Sequence, residues 1–410
     1  MSNKTEKLTS VRLAKKKMLS NIKKTKTEII DILESEGRIL AENIYSKINI
    51  PEFNNSAVDG YGFKNDLSKF PTKFKIVGES KPGCPFTKKI KKGSAIRVFT
   101  GAYIIDKVKN IDTICMEEDC EVNGDELKIR TKLPTGSNIR KKGEDVKKNT
   151  RVFSFGRKIR SVDLAQISSL GIKKIKVYKK VKVGIFSSGD ELCKINSFKK
   201  KFQIYDSNKL ALIALFKRVG CKVIDLGIIK DSTLDTQKKI LKQNFDVDIL
   251  VTSGGISKSK TDKIQSFLHE KGKIFVWRLS IKPGRPFAFG EIKNIPFIGL
   301  PGNPVAAIIT FFMLVIEYVK KMSGCTDNQI IERVLPSNFA MKKKKGRREW
   351  LRGLIIRKKN QYFLDKFPTT GSGIISSISK SEGIIEIEEE KEYIKKGTLL
   401  KFFRYEDLLT

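Results

Sequence analysis

Four stretches of this sequence place glycine, hydroxyl or carboxylate residues directly after an apolar run, and these residue types can bind a phosphorylated ligand. They are SSGDE after VGIF, KDS after LGII, GGIS after ILVTS, and PGNP after FIGL. Glycine lets the backbone approach a phosphate closely, and free N–H groups at the start of a helix bind anions. Carboxylates beside phosphates need a bridging cation, and ligands made only of oxygen favour Mg²⁺. Together the stretches predict a phosphate site that contains Mg²⁺.

Each stretch by itself also has a purely structural interpretation. The Gly254-Gly255 pair, with Asp262 further along, is what a strand-to-helix turn and a helix cap would need. Four such stretches on one predicted sheet favour a binding site over four unrelated turns. The chain contains neither G-x-G-x-x-G nor G-x-x-x-x-G-K-S/T, so an ordinary dinucleotide fold and a Walker-type NTPase are not expected.

The histidine and cysteine content excludes several other chemistries. His269 is the only histidine, which rules out Ser-His-Asp, Cys-His and multi-histidine metal mechanisms. The six cysteines form no Cys-x-x-Cys pair, so neither a zinc site nor a disulfide framework is expected, and a reducing cytoplasm fits them. Acid–base and metal chemistry must therefore come from Asp, Glu and Lys.

The four stretches fall in a region whose pattern predicts a doubly wound parallel sheet. From residue 181, apolar runs typical of strands buried on both faces alternate with segments predicted to be helical, at 208–219, 234–244, 261–271 and 305–322. Ligands of such sheets bind beyond the carboxyl ends of the strands. This rule places all four stretches at one edge of the sheet, where they can form a single site.

The regions on either side of the sheet are rich in β-like patterns. Residues 72–135 contain short alternating strands with Gly and Asn-Gly turns, which predict an all-β module. From about residue 327, further short strands predict a small β-barrel or sandwich. Two helices are expected near the N-terminus, over 10–22 and 27–35. The expected fold class is multidomain α/β plus β.

The formal net charge of +37 would suit an anionic partner. Lysine is spread along the whole chain, as codon drift in an AT-rich genome would produce, so only weak, non-specific nucleic-acid binding is expected. The first residues lack the apolar segment of a secretory signal, and the longest apolar stretch, 305–316, is too short to span a bilayer. We expect no membrane partner and a cytoplasmic location.

Eight motifs, in order and at matching spacing, resemble the MoeA-type molybdopterin molybdenumtransferases, a family that is similar to the C-terminal part of gephyrin-like proteins. Any one motif is weak, but the set is specific and covers nearly the full chain. The motifs are NNSAVDGYGF (54–63), RVFTGA (97–102), SNIRKKGEDV (137–146), IFSSGDEL (185–192), IYDSN (204–208), TSGGIS (252–257), IKPGRPFAFG (281–290) and GLPGNPVAA (299–307).

The resemblance implies an elongated homodimer with four domains in each subunit. These are a discontinuous linker and dimerisation domain (1–45 with 147–178), a β-rich domain (46–146), a molybdopterin-binding, MoaB/Mog-like α/β domain (179–326) and a C-terminal β-barrel (327–410). The implied reaction takes adenylylated molybdopterin and molybdate, releases AMP and forms molybdenum cofactor with the assistance of Mg²⁺. The upstream adenylyltransferase and acceptor molybdoenzymes are further expected partners.

The resemblance also assigns roles to individual residues. Catalytic roles fall on Asp59, Thr100, Glu191, Asp231, Asp262 and Lys282. The expected metal ligands are Asp145, Glu191, Asp231 and Asp262. Substrate binding falls on Ser188, Gly189, Asp190, Gly254, Gly255, Ser257, Arg278, Pro301, Gly302, Asn303, Pro304, Arg352 and Ser372. In a dimer, the region that contains Asp59 and Thr100 would reach the sheet domain of the other subunit.

The sequence departs from the family pattern at three places. Arg278 and Arg285 stand where the family usually shows lysine, which keeps the charge but changes its geometry. After the Gly-Gly turn the family usually shows S-V-G, whereas this chain has Ser257-Lys258-Ser259. The segment after RVFTGA is also irregular, so the tip of the β-rich region is less well defined than the sheet site.

Two other interpretations of the resemblance stay open. Molybdopterin adenylyltransferases share the sheet domain, but they usually consist of that domain alone, and the additional regions here favour molybdenum insertion. A gephyrin-like scaffold could retain the fold without the reaction, although the intact set of acidic residues argues against a purely structural role.

Overall fold

The computed structural model describes residues 8–65, 72–104, 111–230, 246–256, 263–327, 330–369 and 371–409. The helix predicted over 234–244 lies outside these ranges. So do four predicted site or motif positions, Asp231, Ser257, Lys258 and Asp262, and Ser259 beside them.

A six-stranded sheet forms the centre of the molecule. In spatial order its strands are Lys222–Ile229, Lys182–Ser188, Ile249–Ser253, Ile295–Leu300, Ala288–Ile292 and Gly272–Trp277. The first four run parallel, and the last two are antiparallel to their neighbours. Strands Ala288–Ile292 and Ile295–Leu300 are joined by Lys293-Asn294, both at positive φ, and such a two-residue turn can connect only antiparallel strands. The predicted α/β class is confirmed, with a mixed rather than purely parallel sheet.

Helices cover both faces of this sheet. The described ones are Val11–Leu19, Ser207–Arg218, Lys263–Lys271 and the consecutive segments Pro304–Thr310, Phe311–Val315 and Ile316–Met322. Val11, Ala14 and Met18 of the first helix are buried in the same core as the sheet strands. This helix therefore packs with the sheet, although the expected boundaries group it with residues 27–45. No helix among these combines the length and apolar character that crossing a lipid bilayer requires.

The predicted helix over 27–35 is wrong. Thr27–Asp31 is a strand that pairs with Lys174–Tyr178, and a short 3₁₀ helix, Ile32–Glu34, follows it. In the structure the main-chain groups of TEIID pair with those of KIKVY. A helix as short as 27–35 is marginal without packing partners, so the strand pairing prevails. Nearby, Ile44–Tyr45 pairs with Arg151–Phe153, and helix Ser161–Ser169 packs beside them.

The two β-rich regions form separate sheets. The first has the spatial order Thr113–Met116, Gly60–Phe63, Ser94–Val98, Lys73–Ser80, Glu126–Ile129 and Cys120–Asn123, and Asn55–Ser56 pairs with Ile139–Arg140. The C-terminal sheet contains Gln361–Lys366, Arg348–Lys358, Gly383–Ile387, Leu399–Arg404 and Arg333–Pro336. A bridge between Ser337 and Leu364 links its two outer strands, as the predicted barrel requires. The smaller elements are the pair Met341–Lys342 with Tyr393–Ile394 and helices Ser376–Ser379 and Tyr405–Leu409.

Asp163 joins the start of helix Ser161–Ser169 to two arginines. Its side chain is 5% exposed and accepts hydrogen bonds from the guanidinium groups of Arg157 and Arg160 and from the Arg160 main-chain N–H. Burial by itself raises the pKa of Asp163, but these bonds outweigh it and hold the pKa well below its usual range.

We expect Asp163→Asn to lower the free energy of unfolding by about 2 kcal/mol at neutral pH, because both guanidinium groups lose a charged acceptor. Since the folded-state pKa lies below the unfolded value of about 3.9, this contribution is complete above that value and is lost as the pH falls through the folded-state pKa. Urea unfolding at neutral pH and at about pH 3 should show a smaller difference between wild type and variant in acid. An equal difference at both values would contradict the assigned ionic role.

Candidate functional site

A cavity of about 970 Å³ opens at the carboxyl ends of the parallel strands. Residues from three of the four stretches selected in the sequence, SSGDE, GGIS and PGNP, line this cavity, as the rule for ligand binding in α/β sheets predicts. The predicted residues that line it from the sheet side are Ser188, Gly189, Glu191, Gly254, Gly255, Pro301, Gly302, Asn303 and Pro304. The carboxylate of Glu191 lies against Gly189, since a Cβ at Gly189 would come within 2.9 Å of three Glu191 side-chain atoms.

Gly254 allows two neighbouring strand ends to approach each other. Its φ is +87°, and a Cβ there would lie 2.5 Å from the main-chain oxygen of Ser188. The Gly-Gly turn therefore has a structural reason in addition to the expected approach of a phosphate.

We expect Gly254→Ala to destabilise the protein by about 2 kcal/mol or more, because the side chain adds left-handed strain and displaces the Ser188 backbone. Gly302→Ala is the matched control, since a Cβ at Gly302 has its nearest neighbour at 3.7 Å, the Cα of Gly254. Thermal unfolding of both variants measures the difference, and equal melting temperatures would show that the turn tolerates a side chain.

Another part of the cavity wall is cationic. Ile281 and Lys282 leave the central sheet and pair with Arg348 and Glu349 of the C-terminal domain. This pairing brings Lys282, Arg285 and Arg347 to the cavity, together with Ser372. The cavity is therefore lined by three cationic side chains as well as by the carboxylate of Glu191, which suits a ligand with more than one anionic group.

Arg352 lies behind this wall rather than in it. Its side chain is 2% exposed and does not line the cavity. It donates to Ser377 Oγ at 3.0 Å and to the carbonyl oxygens of Thr369 and Gly371 at 2.7 and 3.2 Å. Burial lowers the pKa of Arg352 from its usual value. The contacts show a side chain that holds the segment bearing Ser372, and its predicted role as a substrate ligand stays a prediction.

Two other predicted substrate ligands also lie away from the cavity lining. Arg278 has φ +59°, its N–H donates to the Phe287 carbonyl, and its carbonyl accepts from the N–H of Thr9. Asp190 is exposed beside Gly189. Asp190 is flanked in sequence by the lining residues Gly189 and Glu191, whereas the lining residue nearest to Arg278 in sequence is Ile281.

The structure adds two polar residues that the sequence-based selection missed, the buried Asp206 and the half-buried Asn208. Asp206 is 5% exposed and lines the cavity, and its Oδ1 caps helix Ser207–Arg218. Its Oδ2 makes no hydrogen bond, and the Lys209 ammonium approaches it at 3.7 Å. Asn208 donates to Ser253 Oγ at 3.0 Å and to the Gly302 carbonyl at 2.6 Å, which ties two strand ends together. The sequence signal that could have identified both residues was the IYDSN motif, which was recognised as a whole without selecting its individual residues.

The remaining predicted residues lie in the β-rich region. Asp59 Oδ1 accepts hydrogen bonds from the main-chain N–H and the hydroxyl of Thr100, at 2.6 and 2.8 Å. The main-chain bond is the largest cause of the lowered pKa of Asp59, and the hydroxyl bond adds to it. Asp145 is exposed. None of these three residues lines the cavity, so their predicted catalytic and metal-binding roles stay predictions.

The described residues of the cavity supply some of the oxygen ligands that a bound cation would need. Across the described ranges, no three Asp, Glu, His or Cys side chains gather closely enough to hold a metal ion. Glu191 and Asp206 are the described carboxylates of the cavity, and Ser187 Oγ beside them is buried without a hydrogen-bond partner. This oxygen-only donor set is of the kind that Mg²⁺ accepts.

Comparison with known proteins identifies the family. Residues 9–171 match the MoeA N-terminal region (domain I and II), residues 184–321 match a probable molybdopterin binding domain, and residues 334–403 match the MoeA C-terminal region (domain IV). The chain is 35% identical to molybdopterin molybdenumtransferase from Haemophilus influenzae, over 97% of this chain and 98% of the relative. A Nostoc protein of the same name is 31% identical over 73% of this chain and 70% of its own.

A solved structure supports the same conclusion. The molybdopterin biosynthesis MoeA protein from Pyrococcus horikoshii superimposes with a TM-score of 0.83 at 27% identity, covering 97% of this chain and all of that one. The superposition therefore extends over all four predicted domains. The chain belongs to the MoeA family, the molybdopterin molybdenumtransferases.

Proposed function

We propose that this protein inserts molybdenum into molybdopterin, taking adenylylated molybdopterin and molybdate and releasing AMP with the completed cofactor. The observation that carries the proposal is that the carboxylates of Glu191 and Asp206 line the same cavity as Lys282, Arg285 and Arg347. A nucleotide-bearing pterin needs a phosphate region, and molybdate needs a cationic one. Family membership, at 35% identity to a curated molybdenumtransferase, supports this assignment.

The residues of the sheet side bind and orient the phosphoanhydride. The Gly254-Gly255 turn has no side chains to keep a phosphate away. Pro301 and Pro304 restrict the turn that presents the main-chain groups of Gly302 and Asn303. On the other side, the guanidinium groups of Arg285 and Arg347 can each donate two hydrogen bonds to an oxyanion, and Lys282 adds a point charge.

Glu191 is the described carboxylate best placed to hold Mg²⁺, with Asp206 as a second oxygen donor in the same cavity. The carboxylates expected at 231 and 262 would complete the set. When bound, Mg²⁺ would neutralise phosphate charge and so weaken the phosphoanhydride bond that is broken on AMP release. The Glu191 carboxylate lies against Gly189 near the strand end, and this position would set where the cation is held.

A homodimer in the cytoplasm completes the proposal. Asp59, Thr100 and Asp145 do not line the cavity of their own chain, and a second copy would allow them to reach one. The large apolar side chains Ile29, Leu33 and Val162 are 70%, 86% and 68% exposed in the linker region, which suits burial by another subunit. The six cysteines are all free thiols, which suits a reducing compartment.

AMP release from adenylylated molybdopterin, measured with and without molybdate and Mg²⁺, tests the function. We expect AMP only when the nucleotide substrate is present, and full turnover only with both molybdate and Mg²⁺. Turnover of molybdopterin with Mg-ATP, and none of the adenylylated substrate, would instead identify an adenylyltransferase. Absence of both reactions would support a scaffold.

A further inference from the structure

Two cysteines of the β-rich domain lie side by side where the two edges of its sheet meet. Thr113–Met116 and Cys120–Asn123 are the outermost strands of that six-stranded sheet, yet only the 3₁₀ turn Glu117–Asp119 separates them along the chain. The sheet must therefore curl until its edges adjoin. Cys115 and Cys120 flank the turn, and we call them the edge cysteines.

The turn folds the two thiols toward each other. The Cys120 thiol donates to the Met116 carbonyl at 3.2 Å, and the Cys115 thiol donates to the Asp119 carbonyl at 3.8 Å. Each side chain thus reaches back over the turn, and the two sulfur atoms are within hydrogen-bond reach of one another. Because they are already neighbours, a local rearrangement of the turn can bring them to the S–S distance of a disulfide, about 2.05 Å.

The contact between the thiols makes one of them easier to ionise. The hydrogen bond from Cys120 lowers the pKa of the Cys115 thiol, and this outweighs burial and the Asp119 carboxylate, which both raise it. The same bond raises the pKa of Cys120, since one proton is then held between two sulfur atoms. A thiolate is the form of cysteine that reacts with oxidants and with disulfides, so such a pair is suited to redox chemistry.

Exposure distinguishes the edge cysteines from the other four. Cys193, Cys221 and Cys325 are buried, Cys84 is exposed, and Cys120 is half-buried. Solvent reagents can therefore reach Cys84 and Cys120. Across the described residues no hydrogen bond joins Cys84 to another thiol, whereas Cys120 has the fully buried Cys115 beside it. Only at Cys120 does a reachable sulfur atom have a second sulfur atom ready to react with it.

We propose that the edge cysteines are a redox modification site, at which a hydroperoxide converts the two thiols into a reversible disulfide. With the shared proton on Cys115, the Cys120 thiolate attacks a peroxide oxygen, the O–O bond breaks, and a sulfenic acid and hydroxide form. Cys115 then attacks the Cys120 sulfur, and the S–O bond breaks as the S–S bond forms. The two thiol protons leave with the two peroxide oxygens, so two thiols and one hydrogen peroxide give one disulfide and two waters. In a reducing compartment such a bond is transient.

The turn that the disulfide would close is in contact with Asp59. The Glu117 N–H donates to the Asp59 carbonyl at 3.2 Å, and the Glu117 carboxylate accepts two hydrogen bonds from Arg97, at 3.0 and 3.2 Å. A bond across the turn shifts Glu117 and with it the main chain that positions the Asp59 carboxylate. Oxidation should therefore lower the rate of AMP release. This effect rests on the proposed function, whereas the disulfide does not.

The test treats the fully reduced, full-length protein with limiting hydrogen peroxide, then alkylates and digests it. Tryptic peptide 110–128 contains both edge cysteines, so loss of two hydrogen atoms from it reports the bond directly. Wild type should lose two of its six alkylatable thiols, and dithiothreitol should restore them. Cys120→Ser should lose neither Cys115 nor a second thiol to a disulfide. Cys84→Ser is the matched control, and its peptide 110–128 should oxidise as in wild type.

Activity provides the second readout. AMP release by oxidised wild type and Cys84→Ser should fall about tenfold and recover with dithiothreitol, whereas Cys120→Ser should keep its rate through the same treatment. If peroxide oxidises Cys84 while peptide 110–128 keeps both thiols, or takes Cys120 to a sulfinic acid beside a free Cys115, the modification site is overturned. A disulfide that leaves AMP release unchanged overturns the link to Asp59. If reduced wild type releases no AMP, the proposed function fails, and the peptide masses still decide whether the disulfide forms.

Discussion

Replacing Glu191 with glutamine should lower the rate of AMP release from adenylylated molybdopterin by about 100-fold or more. Glu191 lines the cavity just beyond a strand end, and its carboxylate lies against Gly189. Glutamine keeps the size of the side chain but removes the negative charge that would hold Mg²⁺ near the phosphoanhydride. Initial rates of AMP release at saturating molybdate measure the effect.

The matched control is Glu270→Gln, because Glu270 is an exposed residue of the same domain that does not line the cavity. It should leave the rate unchanged. A Mg²⁺ titration adds a second readout, since the Glu191 variant should need a higher Mg²⁺ concentration for half-maximal rate. Full activity of Glu191→Gln at the Mg²⁺ concentration that suffices for wild type would exclude Glu191 as a cation ligand.

Replacing Arg352 with alanine should lower the free energy of unfolding by about 3 kcal/mol, because it opens a cavity and removes the donor to the buried Ser377 hydroxyl and to two main-chain carbonyls. The affected acceptors are the carbonyls of Thr369 and Gly371, which flank the segment carrying Ser372. The Ser372 carbonyl also accepts the N–H of Val305 at the start of the long helix. Loss of Arg352 should therefore raise the KM for molybdate as well. Urea unfolding and AMP release measure the two effects.

Arg357→Ala provides the control, because Arg357 lies on the same strand but is exposed. Its removal should change the free energy of unfolding by less than about 0.5 kcal/mol. If Arg352→Ala unfolds like the control but loses molybdate affinity, then Arg352 contacts the substrate directly, as the sequence-based prediction had it. If stability and affinity fall together, the residue acts by positioning the Ser372 segment.

The sheet side of the site was accessible from sequence because it depends on local patterns. Buried parallel strands have recognisable apolar runs, and their carboxyl ends share one edge, so residues after such runs must converge. Glu191, Gly254 and Asn303 were selected in this way, and the structure brings them to one cavity. The same local patterns failed for residues 27–31, where pairing with Lys174–Tyr178 decided in favour of a strand.

The cationic side of the site depends on contacts between distant parts of the chain. Lys282 and Arg347 share a wall because Ile281–Lys282 pairs with Arg348-Glu349 of another domain, a contact that no local pattern encodes. Burial is equally non-local, and it separates Arg352, which supports the wall, from Arg347, which faces the cavity.

By itself, the sequence determined the α/β class, the family and the glycine- and proline-rich turns at the strand ends that line the cavity, because strand periodicity and short motifs are local properties. Only the tertiary structure decided which cationic side chains line the cavity and which are buried behind it. The physical reason is that side-chain environment is set by packing between domains, where residues far apart in sequence exclude water from one another.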